Sequence, residues 1–519
     1  MDVGTLVARS SRRYRDRIAV ESSEGAMTFG EIGSRIFQLA RGLKALGLTP
    51  GDRVLDLQSN QRTYIETDLG ISTAGLCRVA LNYRLHPNDW VRITKDCGAK
   101  VLIMDAKFWD ESAPVRELVD HVILIHGEHE GTTPYEGFLA KQESHSFSTA
   151  IDPDSIVSLN YSSGTTGNPK GAIRTHRNRT ASLNNIITDI LMRVPDETDC
   201  WVHAGPVTHT SGLFVLPYFT FGAKQIVLSK YDPEEFIDVI QNRGGNATAL
   251  VPTMVARLLA VDGISKEKMA NLRMLGYAGA PMPPDQIKQC HEKITTKMVQ
   301  YYGLVEAIPP VTVLSEQDHA LGLSQNPELL TSAGNPCVGV EILIVDEDGK
   351  EVPMGEIGEV ITRGDHVMRG YYGAAGEDAN VTKAVRDGWL HTGDLGRIDA
   401  DNRLYLVDRK GDMIISGGYN IYPREIEDVI AEIPDVLEVA VMGIHDNEWG
   451  QRVTAMVTLI PSSTVDHGEL KTQILEHCKS RMASYKKPKD LRIVSEFPLN
   501  STGKIAKKVL KQQLEAEGK

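Results

Sequence analysis

The chain reads as an α/β protein with a large N-terminal domain of layered α/β sheets, a β-barrel subdomain within it, and a small α+β C-terminal domain. Three observations lead there. Helical and extended patterns alternate through the first half, short β runs take over between Gly339 and Arg363, and a charged, glycine-bearing break falls at Asp408-Arg-Lys-Gly-Asp412. The expected division is residues 1–409 for the N-terminal domain, with 339–405 as its β-rich part, and residues 410–519 for the C-terminal domain.

The elements follow in order. Thr28-Phe-Gly-Glu31 has the form of a capping box, Phe29, Ile32, Ile36, Leu39, Ala40 and Leu43 recur at helical spacing, and Gly47 fits the end of that helix. Arg53 to Leu57 is a strand, and a helix starts near Tyr64. A similar unit recurs at Tyr231 to Pro252, where an amphipathic helix leads through Gly244-Gly245 into the strand Ala247 to Val251. Glu341 to Val345 and Gly358 to Thr362 are short strands joined by Asp348-Gly349 and Met354-Gly355. Past the break, Pro423 opens a helix with Ile426, Val429, Ile430 and Ile433 on one face. Strands at Leu437 to Ile444 and Val453 to Leu459 and a helix near Leu470 to Met482 complete the small module.

Bulk properties exclude several classes. The 519 residues carry a net charge of −13, which opposes binding to nucleic acid or an anionic membrane, so a polyanionic ligand needs local positive charge. Cys77, Cys97, Cys200, Cys290, Cys337 and Cys478 show no C-x-x-C spacing, which argues against a zinc site and fits reduced thiols. The first residues lack the apolar run of a signal peptide, no long apolar segment follows, and the ending Ala516-Glu-Gly-Lys519 is no peroxisomal address. A soluble cytoplasmic protein without an integral membrane segment is expected.

The richest segment is Tyr161 to Gly171, YSSGTTGNPKG. Gly164, Gly167 and Gly171 permit sharp turns that expose backbone N–H groups, which can cradle a phosphate chain. Ser162, Ser163, Thr165 and Thr166 add hydroxyl donors, and Lys170 adds a mobile cation. The preceding Ser155 to Asn160 is β-prone, and Asn178 to Leu191 is helix-compatible. The spacing differs from the P-loop of NTPases, because Gly171 follows the lysine where that motif has Ser or Thr.

This string resembles the phosphate loop of the adenylate-forming superfamily, which includes acyl- and aryl-CoA synthetases, peptide-synthetase adenylation domains and luciferases. Further matches occur in the family's order along nearly the whole chain. Gly276-Tyr-Ala-Gly-Ala-Pro281 resembles the loop that stacks on adenine and lines the acyl pocket, which implies nucleotide contacts for Gly279, Ala280 and Pro281. Gln300-Tyr-Tyr-Gly-Leu-Val-Glu306 resembles the next strand and loop, with Gln300, Tyr301, Tyr302 and Gly303 at the nucleotide and Glu306, with Thr166, at magnesium. Leu390-His-Thr-Gly-Asp394 supplies Asp394 for the ribose hydroxyls, and Arg409 a second ribose and phosphate contact. Ser416-Gly-Gly-Tyr-Asn420 resembles the loop lining the thiol tunnel, implying Gly417, Gly418 and Tyr419 there. Pro498 to Lys504 ends in the lysine that bridges carboxylate and α-phosphate. Read singly, T-G-D is a common turn and Lys504 part of a solvated basic tail; the shared order gives them meaning.

The resemblance implies an AMP-forming acid–CoA ligase that uses ATP and Mg²⁺, forms an acyl-adenylate and passes the acyl group to coenzyme A. Lys504, Glu306 and His209 are its expected catalytic residues, His209 orienting the acyl carboxylate rather than acting as a base. Phe214, Tyr277, Ala278, Gly279, Val305 and Ile308 join His209 as expected acyl-pocket walls. Ser211 to Tyr218 reads SGLFVLPY without the acid that amino-acid-activating relatives place there, so the expected substrate is an apolar or aromatic acid lacking an amino group. Two positions depart from the family pattern: Val305 replaces a threonine, and Gly411 stands at the hinge about which the C-terminal domain is expected to move. A carrier-protein thiol is the alternative acceptor, a non-catalytic nucleotide-binding homologue the alternative of another class. A monomer or homodimer is expected, with no nucleic-acid partner.

Overall fold

The alternating half of the chain builds two large sheets that face each other across a layer of helices. The computed structural model of the protein describes residues 2–146, 151–162, 170–373, 384–460, 463–499 and 504–517. Among them, one sheet runs Asn335–Pro336, Ala307–Leu314, Met298–Leu304, Met274–Ala278, Ala247–Leu250, Cys200–His203, Lys224–Val227, Ile18–Ser22, Gly25–Thr28. The other runs Gly370–Tyr372, Lys170–Thr175, Ile156–Ser162, Cys77–Ala80, Arg53–Leu57, Val101–Asp105, His121–Ile125, Thr133–Pro134. Both are parallel in the middle and antiparallel toward edges that serve the site. Helices Val3–Arg13, Phe29–Ala45, Arg62–Thr73, His176–Asn185 and Val215–Phe221 fill the space between, sharing one apolar core with Val20 and Val227 of the first sheet and Val157 of the second.

Local chemistry explains where these elements begin and end. Thr28 and Glu31 form the expected reciprocal cap of helix Phe29–Ala45, and Gly47 just beyond its end takes φ +83°, a conformation that favours glycine. Strands Ile156–Ser162 and Lys170–Thr175 pair antiparallel with Ser162 opposite Lys170, so the lysine already belongs to a strand. The reason lies in Gly171-Ala-Ile-Arg-Thr175, which pairs with the β-prone strand before the loop and delays the next helix to His176.

The β-rich part is a five-stranded antiparallel sheet in which Glu341–Val345 pairs with Gly358–Arg363, Glu341 opposite Arg363. Its long strand Trp389–Ile398 also pairs with Leu404–Arg409, which puts Asp394 opposite Arg409. A separate C-terminal domain follows. Strands Val436–Asp446 and Gly450–Leu459 form a long hairpin whose two faces bury different partners. Val441, Val453, Ala455 and Val457 face helices Pro423–Ala431 and His467–Arg481, while Ala440, Met442, Ile444 and Met456 face helix Lys507–Glu517. This alternation is the period-two consequence of the pleat. At the junction, Arg424 N–H donates to Asp408 Oδ2 at 3.1 Å and Arg424 Nη1 to the Leu406 carbonyl at 3.1 Å. The cysteines are all free and buried, and no described helix is long and apolar enough to cross a membrane.

One contact fixes the turn that carries several predicted site residues. A Cβ at Gly303 would lie 2.6 Å from Pro309 Cγ and 2.9 Å from its Cα, closer than packed carbons can approach. Gly303→Ala is therefore expected to destabilise the protein by about 1–3 kcal/mol, the usual range for overpacking. Denaturant unfolding checks this, and an unchanged midpoint would show that the hairpin opens at no cost.

Candidate active site

Asp394 is the centre of a cleft where the nine-stranded sheet and the β-rich sheet meet. Its Oδ2 accepts a 2.5 Å hydrogen bond from the Tyr302 hydroxyl, and Arg409 Nε lies 3.1 Å from Oδ1. Strand geometry explains the meeting: Arg409 is directly across the ladder from Asp394, and Tyr302 comes from the edge region of the large sheet. Burial raises the Asp394 carboxyl above its ordinary range while Arg409 opposes that shift. Each carboxylate oxygen retains acceptor capacity for further hydroxyls, as a diol would require.

Lys504 reaches this cleft from the C-terminal domain. A Cβ built on Gly279 would lie 3.5 Å from Lys504 Cε, so the lysine stem runs past the bare backbone of Gly279, itself held at φ +87°. The cleft mouth stays open to water, yet surrounding protein depresses the Lys504 amine; Arg409 depresses it further and Asp394 opposes them. Gly279, Ala280 and Pro281 form a partly exposed rim after strand Met274–Ala278. Gln300 and Tyr302 share one face of their strand while Tyr301 points to the other and is buried, so Tyr301 supports the core.

A second cluster joins Lys170 to Glu306. Glu306 Oε1 accepts a 2.6 Å hydrogen bond from Tyr371, and Lys170 Nζ lies 5.3 Å from the centre of the same ring. Sequence reasoning missed Tyr371; its only mark is its place in the aromatic pair Tyr371-Tyr372 on a strand that pairs with Gly171–Ile173. Ser163, Gly164, Thr165, Thr166 and Gly167 lie outside the described residues, as does the side chain of Ser162. Among the described residues no group of three or more His, Cys, Asp or Glu is arranged to hold a metal by itself. The lone carboxylate of Glu306 nonetheless fits magnesium, which commonly takes one or two carboxylates and completes its shell with substrate phosphates and water.

Beside this cluster lies a cavity of about 80 Å³ between the two sheets, lined in part by His209, Leu213, Leu216, Pro217, Ile308 and Arg174. His209 Nε2 is 2.9 Å from Asn82 Nδ2, and the amide donates, so this nitrogen acts as an acceptor. That bond helps to fix the orientation of the ring. Several expected walls are elsewhere. Phe214 is fully buried and stacked on Trp201 at 3.6 Å, and Tyr277 is buried with its hydroxyl 2.8 Å from His319 Nε2. Ala278 is likewise buried in the core, and Val305 joins the apolar cluster of Ala172, Ala307, Val311, Met368 and Leu390. The reason is period: these side chains project from their elements into apolar layers, where burial in contact with carbon is favoured. The cavity wall is also less apolar than expected, because Asp68, Arg78, Arg174 and Arg179 border it.

In the C-terminal domain, Gly417 and Gly418 turn the hairpin between Ile414–Ser416 and Tyr419–Ile421 at φ +58° and +83°. A Cβ on Gly417 would come within 2.9 Å of Trp449, so only glycine lets the turn lie against that ring. Tyr419 is exposed and stacks on Tyr485 at 4.4 Å. Gly411 lies in the turn after Arg409, with no atom within 4 Å of where its Cβ would be.

These features define a two-domain adenylating enzyme, and comparison with known proteins agrees. The chain belongs to the AMP-binding enzyme family: the family model matches residues 7–372, and the model of the AMP-binding enzyme C-terminal domain matches residues 425–504. It is an AMP-forming acyl-CoA synthetase of the adenylate-forming superfamily, catalysing ATP-dependent ligation of an acid to CoA. It is 32% identical to a feruloyl-CoA synthase of Amycolatopsis over 507 residues, covering 97% of each chain. It is 32% identical to a 2-succinylbenzoate–CoA ligase of Bacillus cytotoxicus over 501 residues, 96% of each. The crystal structure of ATP-bound MatB from Rhodopseudomonas palustris superposes with a TM-score of 0.87 at 27% identity, covering 100% of both chains.

The charge environment of Lys504 has a measurable consequence. A depressed amine loses its proton at lower pH than an ordinary lysine, so a step that needs the cation falls as pH rises through that lowered value. Arg409→Gln removes one of the depressing charges. The alkaline limb of acyl-adenylate formation is expected to move to higher pH in Arg409→Gln, whatever happens to the maximum rate. A limb that stays in place or moves down would show that Lys504 does not set it.

Proposed function

We propose that the cleft around Asp394 adenylates a carboxylic acid without an amino group, and that the C-terminal domain then turns to admit CoA. The observation that carries this reading is the approach of Lys504 to Gly279 in the cleft that Asp394 and Arg409 define. The first step brings two anions together: a carboxylate oxygen attacks the α-phosphorus of ATP, and the bond to the β-phosphate oxygen breaks to release pyrophosphate. Neutralisation and positioning therefore dominate catalysis. Lys504 draws the carboxylate and α-phosphate together, Asp394 takes the ribose hydroxyls, Arg409 adds a ribose and phosphate contact, and Lys170 with the loop 162–167 holds the departing pyrophosphate. Glu306, with Thr166, would hold magnesium, which when bound supplies charge neutralisation on the phosphate oxygens. Tyr371 fixes the Glu306 carboxylate for that task.

His209, held by Asn82, borders the acyl carboxylate, and the hydrocarbon body of the acid lies along Leu213, Leu216, Pro217 and Ile308. An ammonium group is disfavoured because the cavity already holds Arg78, Arg174 and Arg179 against Asp68. In the second step the CoA thiol attacks the acyl carbonyl and AMP leaves. CoA is favoured over a carrier-protein thiol by the Gly417-Gly418 turn, whose bare backbone suits a slim pantetheine arm, and by relatives named as CoA ligases. The reaction is assigned to the cytoplasm. A panel of acids scored by pyrophosphate release and by thioester mass, with CoA and a carrier protein in parallel, tests the whole reading.

Lys504→Ala is expected to reduce acyl-adenylate formation by about 10²-fold or more, the scale seen when a charge-stabilising donor is removed. Thioester formation from supplied acyl-adenylate should change little, because the lysine acts only in the first step. Equal loss in both half-reactions would refute the assignment. Gly411→Pro is expected to do the reverse, since proline fixes φ near −65° and restricts the pivot. Single-turnover assays should find pyrophosphate release retained and thioester formation at least about tenfold slower, whereas an unchanged thioester rate places the pivot elsewhere in 408–412.

A further inference from the structure

Arg174 is a cation in the acyl cavity with no acid of its own. It sits half-buried on strand Lys170–Thr175 and borders the cavity. Its Nε and Nη2 both donate to one acceptor, the Val305 carbonyl, at 3.3 and 2.8 Å, and it forms no salt bridge among the described residues. The other two arginines of the cavity are committed. Arg78 is held by Asp56 at 2.5 Å and Asp68 at 3.2 Å, and Arg179 by Asp68 at 2.8 Å. Glu306 acts on Arg174 through its field without pairing with it, and its carboxylate is bound by Tyr371. Burial lowers the guanidinium to about 10, still charged at neutral pH.

The remaining groups on the cavity wall point the same way. Thr208 is among the residues that line it, and its buried hydroxyl has no hydrogen-bond partner among the described residues. Three arginines face one lining aspartate, and Asp56 behind Arg78 leaves one positive charge uncompensated. A half-buried cation without a carboxylate partner and a buried unpaired hydroxyl both gain when a ligand completes them. Both lie on the cavity that His209 borders, so what completes them enters with the acid.

We infer that the acid substrate carries a second anionic group, a carboxylate, which Arg174 binds with the Thr208 hydroxyl while the first carboxylate is adenylated. This rests on the acyl-cavity assignment proposed above and narrows the substrate class to compact dicarboxylic acids. At about 80 Å³ the cavity suits a short body between the two carboxylates better than a long alkyl chain.

The test compares aliphatic and aromatic dicarboxylic acids with their monomethyl esters, which keep length and shape but lack the second charge. Pyrophosphate release by the full-length enzyme with ATP and Mg²⁺ is the readout. Wild type is expected to favour a diacid over its half-ester by roughly 10- to 100-fold in kcat/KM, mostly through KM, the scale of a charged hydrogen bond. Arg174→Met should bring that ratio close to one, Arg174→Lys should restore part of it, and Thr208→Val should lower it less. Thermal melting of each variant checks folding, and the wild-type ratio stands whether or not a variant folds. Equal use of diacid and half-ester by wild type would overturn the inference. So would equal losses for both in folded Arg174→Met, which would assign Arg174 to the Glu306 end of the site. Monocarboxylic acids activated without any diacid would sink the inference and leave the ligase reading intact. No pyrophosphate release with any acid would overturn both.

Discussion

The Asp394 carboxylate, gripped by Tyr302 and Arg409, is the junction on which the arrangement of this enzyme depends. Tyr302 belongs to the large nine-stranded sheet, Asp394 and Arg409 to the β-rich sheet, and the chain leaves Arg409 directly for the C-terminal domain. Asp408 and Leu406 then receive Arg424 from the first helix of that domain, and Glu427 on the same helix pairs with Lys507 at 2.6 Å. The residues proposed to contact the nucleotide are thereby adjacent to those that hold the first helix of the C-terminal domain. On the reading proposed above, a ligand that engages Asp394 or Arg409 acts on the expected pivot as well as on the site, which would couple chemistry at the α-phosphate to movement of a domain.

Burying charge is the second theme. Asp56 accepts from Arg78, Thr67 and Gln58, and Asp68 accepts from Arg78 and Arg179, all between the two sheets. Such ions are costly to desolvate, and their value lies less in stability than in geometry: every carboxylate oxygen accepts at least one hydrogen bond, so the cavity wall is held in one arrangement. Arg78 also lies 4.1 Å from the centre of the Tyr64 ring, which fixes the face of the guanidinium. Against that completed network Arg174 and Thr208 stand out.

Val305 illustrates how a departure from a family pattern is absorbed. Its backbone carbonyl anchors Arg174, while its side chain packs in an apolar cluster with Met368 and Leu390. A threonine hydroxyl in that cluster would need a partner, whereas valine fills the space with carbon. Its side chain adds to the packing beneath Glu306, and its carbonyl supports the arginine.

Local sequence determined much of this protein because much of it is local. Capping at Thr28 and Glu31, the glycine turns at Gly47 and Gly417-Gly418, and the period-two faces of the 436–459 hairpin each depend on neighbouring residues. Motif order likewise identified the superfamily, and Asp394, Arg409, Tyr302 and Lys504 do converge. What sequence could not decide is which side of a strand meets empty space. Phe214 and Tyr277 read as pocket walls by position, yet the stacking of layers gives them to the core, and Val305 packs half-buried against a separate apolar cluster. Tyr371 and Arg174 carried no motif; they matter because a strand pairing places Tyr371 against Glu306, and because Asp68 on the cavity wall is taken by Arg78 and Arg179 while Arg174 bonds only the Val305 carbonyl among the described residues. A side chain's chemistry is written in the sequence, but whether its charge is already satisfied depends on contacts that only the tertiary structure brings together.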